Sequence, residues 1–412
     1  MKSTSLAGLS RKTLEASLTA TTERLATELA APSAVAPEWS ESEWLMARAV
    51  ATIHGTAPLL RSTLRWRGPE GWERFLSRER TLEQQRHRRM TELLGLIHEE
   101  LHTAGVPAVA LKGSALYGAG LYGPGERPMA DVDVLVRRTD CEPAAKVFEA
   151  LGFQESWRFW KNRVFCLREG EGFWRPPEPG EQPIKIELHE RICERLPARL
   201  ADISRYVFPE KAEPGLNPYP SRASLIGHLL LHAAGAIVER SLRLIQLYDI
   251  ALLAPLATSD DWTEVFGIGE SGQAPWWAFP AFVLADRYFP RRIPQSALKS
   301  ARAGCPAILS RISVRQTLSD VSLSFPWIEA FPGIVWSRSP TEALEYVAQR
   351  FLSGTEASTY REVASRTEPG LSARERNWLA VSQGERILRW LISRPARPET
   401  MRAVRSAFGV PA

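Results

Sequence analysis

Apolar positions along the chain change period, and the changes mark its elements. Ser40-Glu41-Ser42-Glu43 ahead of Trp44, Leu45, Ala49 and Val50 has the form of a capping box, with Ser40 accepting from the third helical N–H while Glu43 reaches back, so a helix starts there. From about Leu82 to His102, Leu93, Leu94, Ile97 and Leu101 recur on one helical face, and Gly105 followed by Pro107 ends the run. Before Ser40 the chain is rich in Ala, Thr, Ser and Glu, its periodicity is weak, and Pro32 and Pro37 close it. Residues 1–37 therefore read as a loose arm, and 38–104 as a helical segment.

From Val106 the period shortens. Val109 to Leu111 reads as a short buried strand, Ser114 to Leu121 as a helix, Tyr122 to Pro128 as a Gly/Pro turn and Asp131 to Val136 as an alternating strand. A helix from Glu142 to Leu151 follows, then a strand-like run from Trp157 to Leu167, a Pro-rich loop from Pro176 to Pro183 and a strand from Ile184 to His189. Pro209 to Pro220 reads as a linker, beyond which Leu225 to Leu253 and most of the remainder keep a helical period. The expected fold class is α+β, with a mixed α/β core at 105–208 and a large helical domain at 221–412.

Composition narrows the class. With 412 residues, 44% hydrophobic and 24% charged, the chain can bury a core, which excludes disorder and collagen. Four cysteines (Cys141, Cys166, Cys193, Cys305) without paired spacing exclude a disulfide scaffold and read as reduced, buried thiols. The first 25 residues lack the unbroken apolar stretch of a secretory signal, and the apolar runs Ala274 to Ala285 and Leu225 to Val238 are shorter than the ~20 residues of a spanning helix. The expectation is a cytoplasmic protein with no membrane partner. The formal charge of +5 does not by itself call for nucleic acid, but only 8 of the 52 basic residues are lysine, so a lysine at a motif stands out.

The chemistry concentrates at Asp131-Val132-Asp133-Val134-Leu135-Val136. Alternation sends Asp131 and Asp133 to one face of the strand and the valines to the other. Two carboxylates sharing a face repel unless cations neutralise them, and such hard oxygen ligands suit Mg²⁺ bound together with phosphates. Lys185, Glu187 and His189 share a strand face in the same way, so Glu187 can supply a third carboxylate. Gly113-Ser114 follow a strand and open a helix, where backbone N–H groups and a hydroxyl can meet phosphate, with Lys112 beside them.

Three separated pieces, Leu111-Lys112-Gly113-Ser114, then Arg127-Pro128-Met129-Ala130-Asp131-Val132-Asp133, then Glu187-Leu188-His189, resemble the DNA polymerase beta superfamily of nucleotidyltransferases. The chain is most similar to that superfamily's bacterial, largely uncharacterised branch with Leu-Lys-Gly and Arg-Pro-x-x-Asp-x-Asp motifs. The resemblance implies a polymerase-beta-like core with a small mixed sheet. It also implies that Asp131, Asp133 and Glu187 are the catalytic, metal-binding carboxylates and that Gly113-Ser114 hold the nucleotide's phosphates. The implied cofactor is Mg²⁺, two ions, with Mn²⁺ as its substitute; the partners are an NTP, ATP first, and an unknown acceptor that is a small molecule, peptide or RNA. The implied reaction is in-line attack of an acceptor hydroxyl or amine on the α-phosphate, with pyrophosphate leaving. Lys112, Arg127 and Lys185 are further nucleotide-binding candidates, chosen by position. Asp131 follows Ser114 by 17 positions, a longer interval than in compact nucleotidyltransferases, so the substrates of those enzymes do not carry over.

Rival motifs read differently. Gly118 to Gly123 satisfies the dinucleotide fingerprint but ends a helix instead of opening one. His98 and His102, at i and i+4, satisfy a zinc-protease pattern and make a zinc hydrolase the weaker alternative; they lack an obvious third ligand. His228 and His232 sit in a strongly apolar helix and read as packing histidines whose helix can border the nucleotide cleft, as can Asp249. Arg78, Arg80, Arg86, Arg88 and Arg89 read as a solvated face, with an RNA-binding face as the functional version. The 14 tryptophans read as core filling. A non-catalytic recognition protein on the same core, serving a biosynthetic pathway, is the alternative to an enzyme.

Overall fold

The alternation at Asp131–Val136 produces a strand with those bounds, and a sheet is laid on both of its edges. The computed structural model describes residues 10–167, 183–197, 199–269, 275–351 and 381–410. Of the Pro-rich loop expected from Pro176 to Pro183, all but Pro183 lies outside them. The strands are β1 (Pro107–Ala110), β2 (Asp131–Val136), β3 (Phe153–Arg158), β4 (Asn162–Leu167), β5 (Lys185–His189), β6 (Cys193–Arg195), β7 (Leu200–Asp202) and β8 (Gly215–Asn217). Six form one mixed sheet in the order β3-β4-β5-β2-β1-β8, and β6-β7 form a separate hairpin. Strand β2 runs antiparallel to β1 and parallel to β5, its register pairing Asp131 with Lys185 and Asp133 with Glu187.

The helices up to the middle of the chain are α1 (Arg11–Ala30), α2 (Glu41–Ile53), α3 (Ala57–Thr63), α4 (Glu70–Thr103), α5 (Lys112–Gly118), α6 (Cys141–Ala150), α7 (Ser204–Val207), α8 (Arg222–Val238) and α9 (Leu244–Leu253). The expected capping box begins α2, where Ser40 N–H donates to Glu43 and Ser40 Oγ accepts from Glu43 N–H. One face of the sheet (Val132, Val134, Val136, Ile186, Leu188) packs on the α4 stripe Leu93, Ile97 and Leu101 and on Phe148 of α6. The other face gives up its apolar residues toward one end. There Val109 and Leu135, with Leu111 and Leu116 from the turn and helix after β1, join the helical core, while Asp131, Asp133, Lys185, Glu187 and His189 share that face with Val164 and Trp157. The α+β class and the helical C-terminal half are as the pattern predicts.

Four expectations change. The loose arm is, over its described part, helix α1: Leu18, Leu25 and Ala26 are buried, Trp66 Nε1–H donates to Glu28, and Tyr288 O–H donates to Glu23. Its periodicity looked weak because buried Thr21, Thr22 and Glu28 share the core face. The linker from Pro209 to Pro220 contains β8, which extends the sheet edge parallel to β1; three residues among Pro and Gly carry no alternation to read. The run from Trp157 to Leu167 is a hairpin of two strands instead of one. The four cysteines are free, but only Cys193 is buried. Buried tryptophans such as Trp72, Trp277 and Trp336 do fill the helical core. Among the described residues no helix is long and apolar enough to cross a membrane.

Truncating a fully buried leucine costs about 2–5 kcal/mol. Leu25→Ala is therefore expected to lower the denaturant midpoint by that order, whereas in a loose arm it would leave the midpoint unchanged.

Candidate active site

Strands β2 and β5 bring three acids to one face of the sheet, as alternation and parallel register require. Asp133 is buried, and its Oδ1 takes two donors: Lys112 Nζ at 2.7 Å and His189 Nε2 at 2.8 Å. Glu187 accepts from Asn162 Nδ2 at 2.6 Å and lies 3.6 Å from His189 Nε2. Asp131, one pleat earlier, is half-buried and has no hydrogen-bond partner among the described residues.

The electrostatics follow from this unequal pairing. Burial and the charges of Asp133 and Glu187 push the Asp131 carboxyl up to about 7. Burial would raise Asp133 too, but the Lys112 ammonium and the His189 hydrogen bond outweigh it and hold Asp133 well below the carboxylate range. For Lys112 and His189 burial works against the charged form, and the facing carboxylates overcome it, so both are raised. Among the described residues, one ammonium and one imidazole are thus paired with three carboxylates.

That surplus is what a divalent cation would neutralise. Donor atoms of Asp133, Glu187 and His189 lie within 4.8 Å of one another, and Asp131 adds oxygens beside them. Carboxylate oxygens suit Mg²⁺ or Mn²⁺, and His189 joins them as a ligand only by giving up the Nε2 proton it donates to Asp133. The donor set fits such an ion.

The turn before α5 carries strain. Lys112 has φ 46°, a left-handed conformation unusual for a side chain of its size, and its N–H donates to Tyr219. The turn aims the Lys112 ammonium at Asp133. Gly113 is needed because a Cβ there would lie 2.5 Å from Met129 Sδ and 2.6 Å from Arg127 Nη1. Ser114 N–H donates to Leu111 O, while Ser114 Oγ is buried and has no hydrogen-bond partner among the described residues.

Two positional candidates have partners of their own. Arg127 is buried and forked onto Asp249 of α9, with Nε and Nη2 each 2.8 Å from a carboxylate oxygen, and Tyr122 O–H donates to the same Asp249 at 2.6 Å. It ties the motif loop to the helical half. Lys185 lies on the acidic face, but its ammonium sits over the Trp157 ring at 4.9 Å. The arginine-rich part of α4 is not wholly solvated either: Arg86 is buried and donates to the carbonyls of Met129 and Ala130, just ahead of Asp131. Arg80 reaches Glu126 of the same loop. His98 Nδ1 accepts from Leu216 N–H and His102 Nδ1 donates to Pro214 O, so both hold β8, and no third ligand joins them among the described residues.

The sequence reading missed Asn162, Tyr219 and the role of His189, although alternation placed His189 on the face of Glu187. Asn162 and Tyr219 carry no local signal. Helix α8 brings His228 and His232 to a cleft beside Lys112 and His189, so the helix that read as packing, with the cleft as its possible border, does lie at the site.

A small mixed sheet with a carboxylate cluster at the start of its central strand, fronted by a strand-turn-helix bearing lysine, glycine and serine, has the layout of a nucleotidyltransferase. A family model described as uncharacterised nucleotidyltransferase matches residues 40–290, more than half of the chain. The chain belongs to that family. No curated protein and no solved structure matches it significantly.

Asp131 gives a test through its raised carboxyl. A folded-state value above the unfolded one means the fold favours the protonated form, so ionising Asp131 costs stability increasingly from pH 4 and fully above pH 7. Asp131→Asn in EDTA is expected to raise Tm at pH 8 by about 2 °C, on the order of 1 kcal/mol, and to change it little at pH 4. A lowered Tm at pH 8 would contradict the assigned repulsion.

Proposed function

We propose that the protein transfers a nucleoside monophosphate from an NTP, ATP first, to a hydroxyl or amine acceptor. The observation that carries this reading is the registered trio Asp131, Asp133 and Glu187, of which Asp131 has no hydrogen-bond partner among the described residues. Two bound Mg²⁺ ions would supply charge neutralisation for the triphosphate and for the attacking and leaving oxygens. Asp131 and Asp133 are the proposed ligands on the nucleotide side. Glu187, its orientation held by Asn162, is proposed for the acceptor side.

The chain's other groups have matching tasks. Lys112 carries an ammonium at the carboxylates, one residue before Gly113-Ser114, and suits a phosphate oxygen. The buried, unpartnered Ser114 Oγ is a donor suited to the same purpose. Arg243, exposed at the start of α9, feels the Asp131 charge and suits the outer phosphates. Apolar α8 above the acidic face limits water, which would compete with the acceptor. Arg86 and Arg127 act as positioning residues by fixing the loop that delivers Asp131.

Calorimetric titration with each NTP, with and without Mg²⁺, tests this. Mg²⁺-dependent binding is expected, weakened at least about tenfold in Asp131→Asn, a difference of about 1.4 kcal/mol. Asp131 is the better probe because Asp133 also holds Lys112 and His189 in place. Binding of no NTP, or equal binding by the variant, would overturn the reading.

A further inference from the structure

Helix α8 is buried on nearly every side; of its 17 residues only Arg222 and His232 escape. Along the side that meets β6 it carries His228, His232 and Gly235, spaced as one helical stripe. Gly235 makes room for Glu194: a Cβ there would lie 2.8 Å from the Glu194 carboxyl carbon. Between this stripe and the sheet is a narrow cleft of about 20 Å³ that adjoins His189 and is lined by Lys112, Lys161, Arg191, Glu194 and the two histidines, so a ligand's anion enters it only where the Glu194 carboxylate gives way.

The protons on those histidines follow from their partners. Tyr219 O–H accepts from Lys112 N–H, and its own proton has no acceptor among the described residues except His228 Nδ1, 2.7 Å away. His228 therefore carries its proton on Nε2. Gln246 Oε1 accepts from Arg243 N–H, which turns the amide nitrogen to His232 Nε2 at 2.8 Å. His232 therefore carries its proton on Nδ1, toward Glu194 Oε1 at 4.0 Å. Burial, with Lys112 nearby, keeps both rings neutral. Each ring's lone pair is already taken, so neither can ligate a metal or accept an acceptor's proton. What each has left to offer is an N–H.

We propose that this cleft is an oxyanion subsite for a phosphoryl or carboxylate group, with His228 Nε2–H and His232 Nδ1–H as neutral donors and Lys161 and Arg191 as charges. Glu194, paired with Lys161 at 2.7 Å, holds the place of the ligand's anion. Arg191 stands at the exposed rim, 3.9 Å from Asp202. The subsite deepens the transferase reading and rests on it for its ligand. The group belongs either to the nucleotide's own phosphates or to an acid group on the acceptor.

The test is calorimetry of the full chain with inorganic pyrophosphate in EDTA, paired with Mg²⁺-ATP titrations and ¹⁵N spectra of the histidines. Pyrophosphate is expected to bind, about fivefold more weakly in His228→Ala and in His232→Ala, as fits the loss of one hydrogen bond. His228→Gln, which returns a donor near Nε2, is expected to restore most of the affinity. Glu194→Gln is expected to tighten binding severalfold by removing the competing carboxylate, an effect general loosening of the structure would not produce. The spectra are expected to show opposite tautomers at 228 and 232. Parallel weakening of Mg²⁺-ATP assigns the subsite to the nucleotide's phosphates; unchanged Mg²⁺-ATP binding assigns it to the acceptor. Pyrophosphate binding without NTP binding removes the transferase reading and leaves the subsite standing. No pyrophosphate binding, unchanged affinity in both alanine variants, or weaker binding in Glu194→Gln overturns the subsite.

Discussion

Mutual repulsion among Asp131, Asp133 and Glu187 is the constraint around which the polar face of the sheet is built. Carboxylates in partly buried register cannot all be ionised without compensation, and the protein compensates incompletely. Lys112 and His189 both go to Asp133, Asn162 goes to Glu187, and Asp131 receives no hydrogen bond among the described residues. A fold selected for stability alone would not leave that arrangement, so the residual charge is read as the affinity reserved for a cation.

Holding Asp131 in this position takes contacts from distant parts of the chain. Arg86 on α4 grips the two carbonyls before it, and Arg127 is forked onto Asp249 of α9 while Gly113 admits the packed loop. A buried fork of this kind is costly to break, since an unpaired Asp249 or Arg127 would remain in the interior. The arginine of the Arg-Pro-x-x-Asp-x-Asp pattern therefore ties the loop before Asp131 to α9, as Arg86 ties it to α4.

The sequence made the central strand and its charged face legible because period-two alternation and parallel register are local properties. Asp131, Asp133, Glu187 and Lys185 fall on the face that spacing predicts. What each side chain does there was less legible, since Lys185 prefers Trp157 and Arg127 prefers Asp249, partners that come from elsewhere in the chain. Arg86 read as solvated because its neighbours are, although its own position faces the loop. The helical order of α1 was hidden by the Thr and Glu it buries, and β8 by its length. Asn162, Tyr219 and the tautomers of His228 and His232 depend on tertiary contacts that leave no pattern in the chain.

The central claim is that the carboxylate face holds divalent ions together with a nucleotide. Counting bound Mn²⁺ by electron paramagnetic resonance, in the presence of a non-hydrolysable ATP analogue, addresses it without knowledge of the acceptor. The account predicts two Mn²⁺ per chain, and loss of at least one from a variant carrying Asp131→Asn and Glu187→Gln. No bound Mn²⁺ in the unaltered protein, or the same count in the variant, would contradict it.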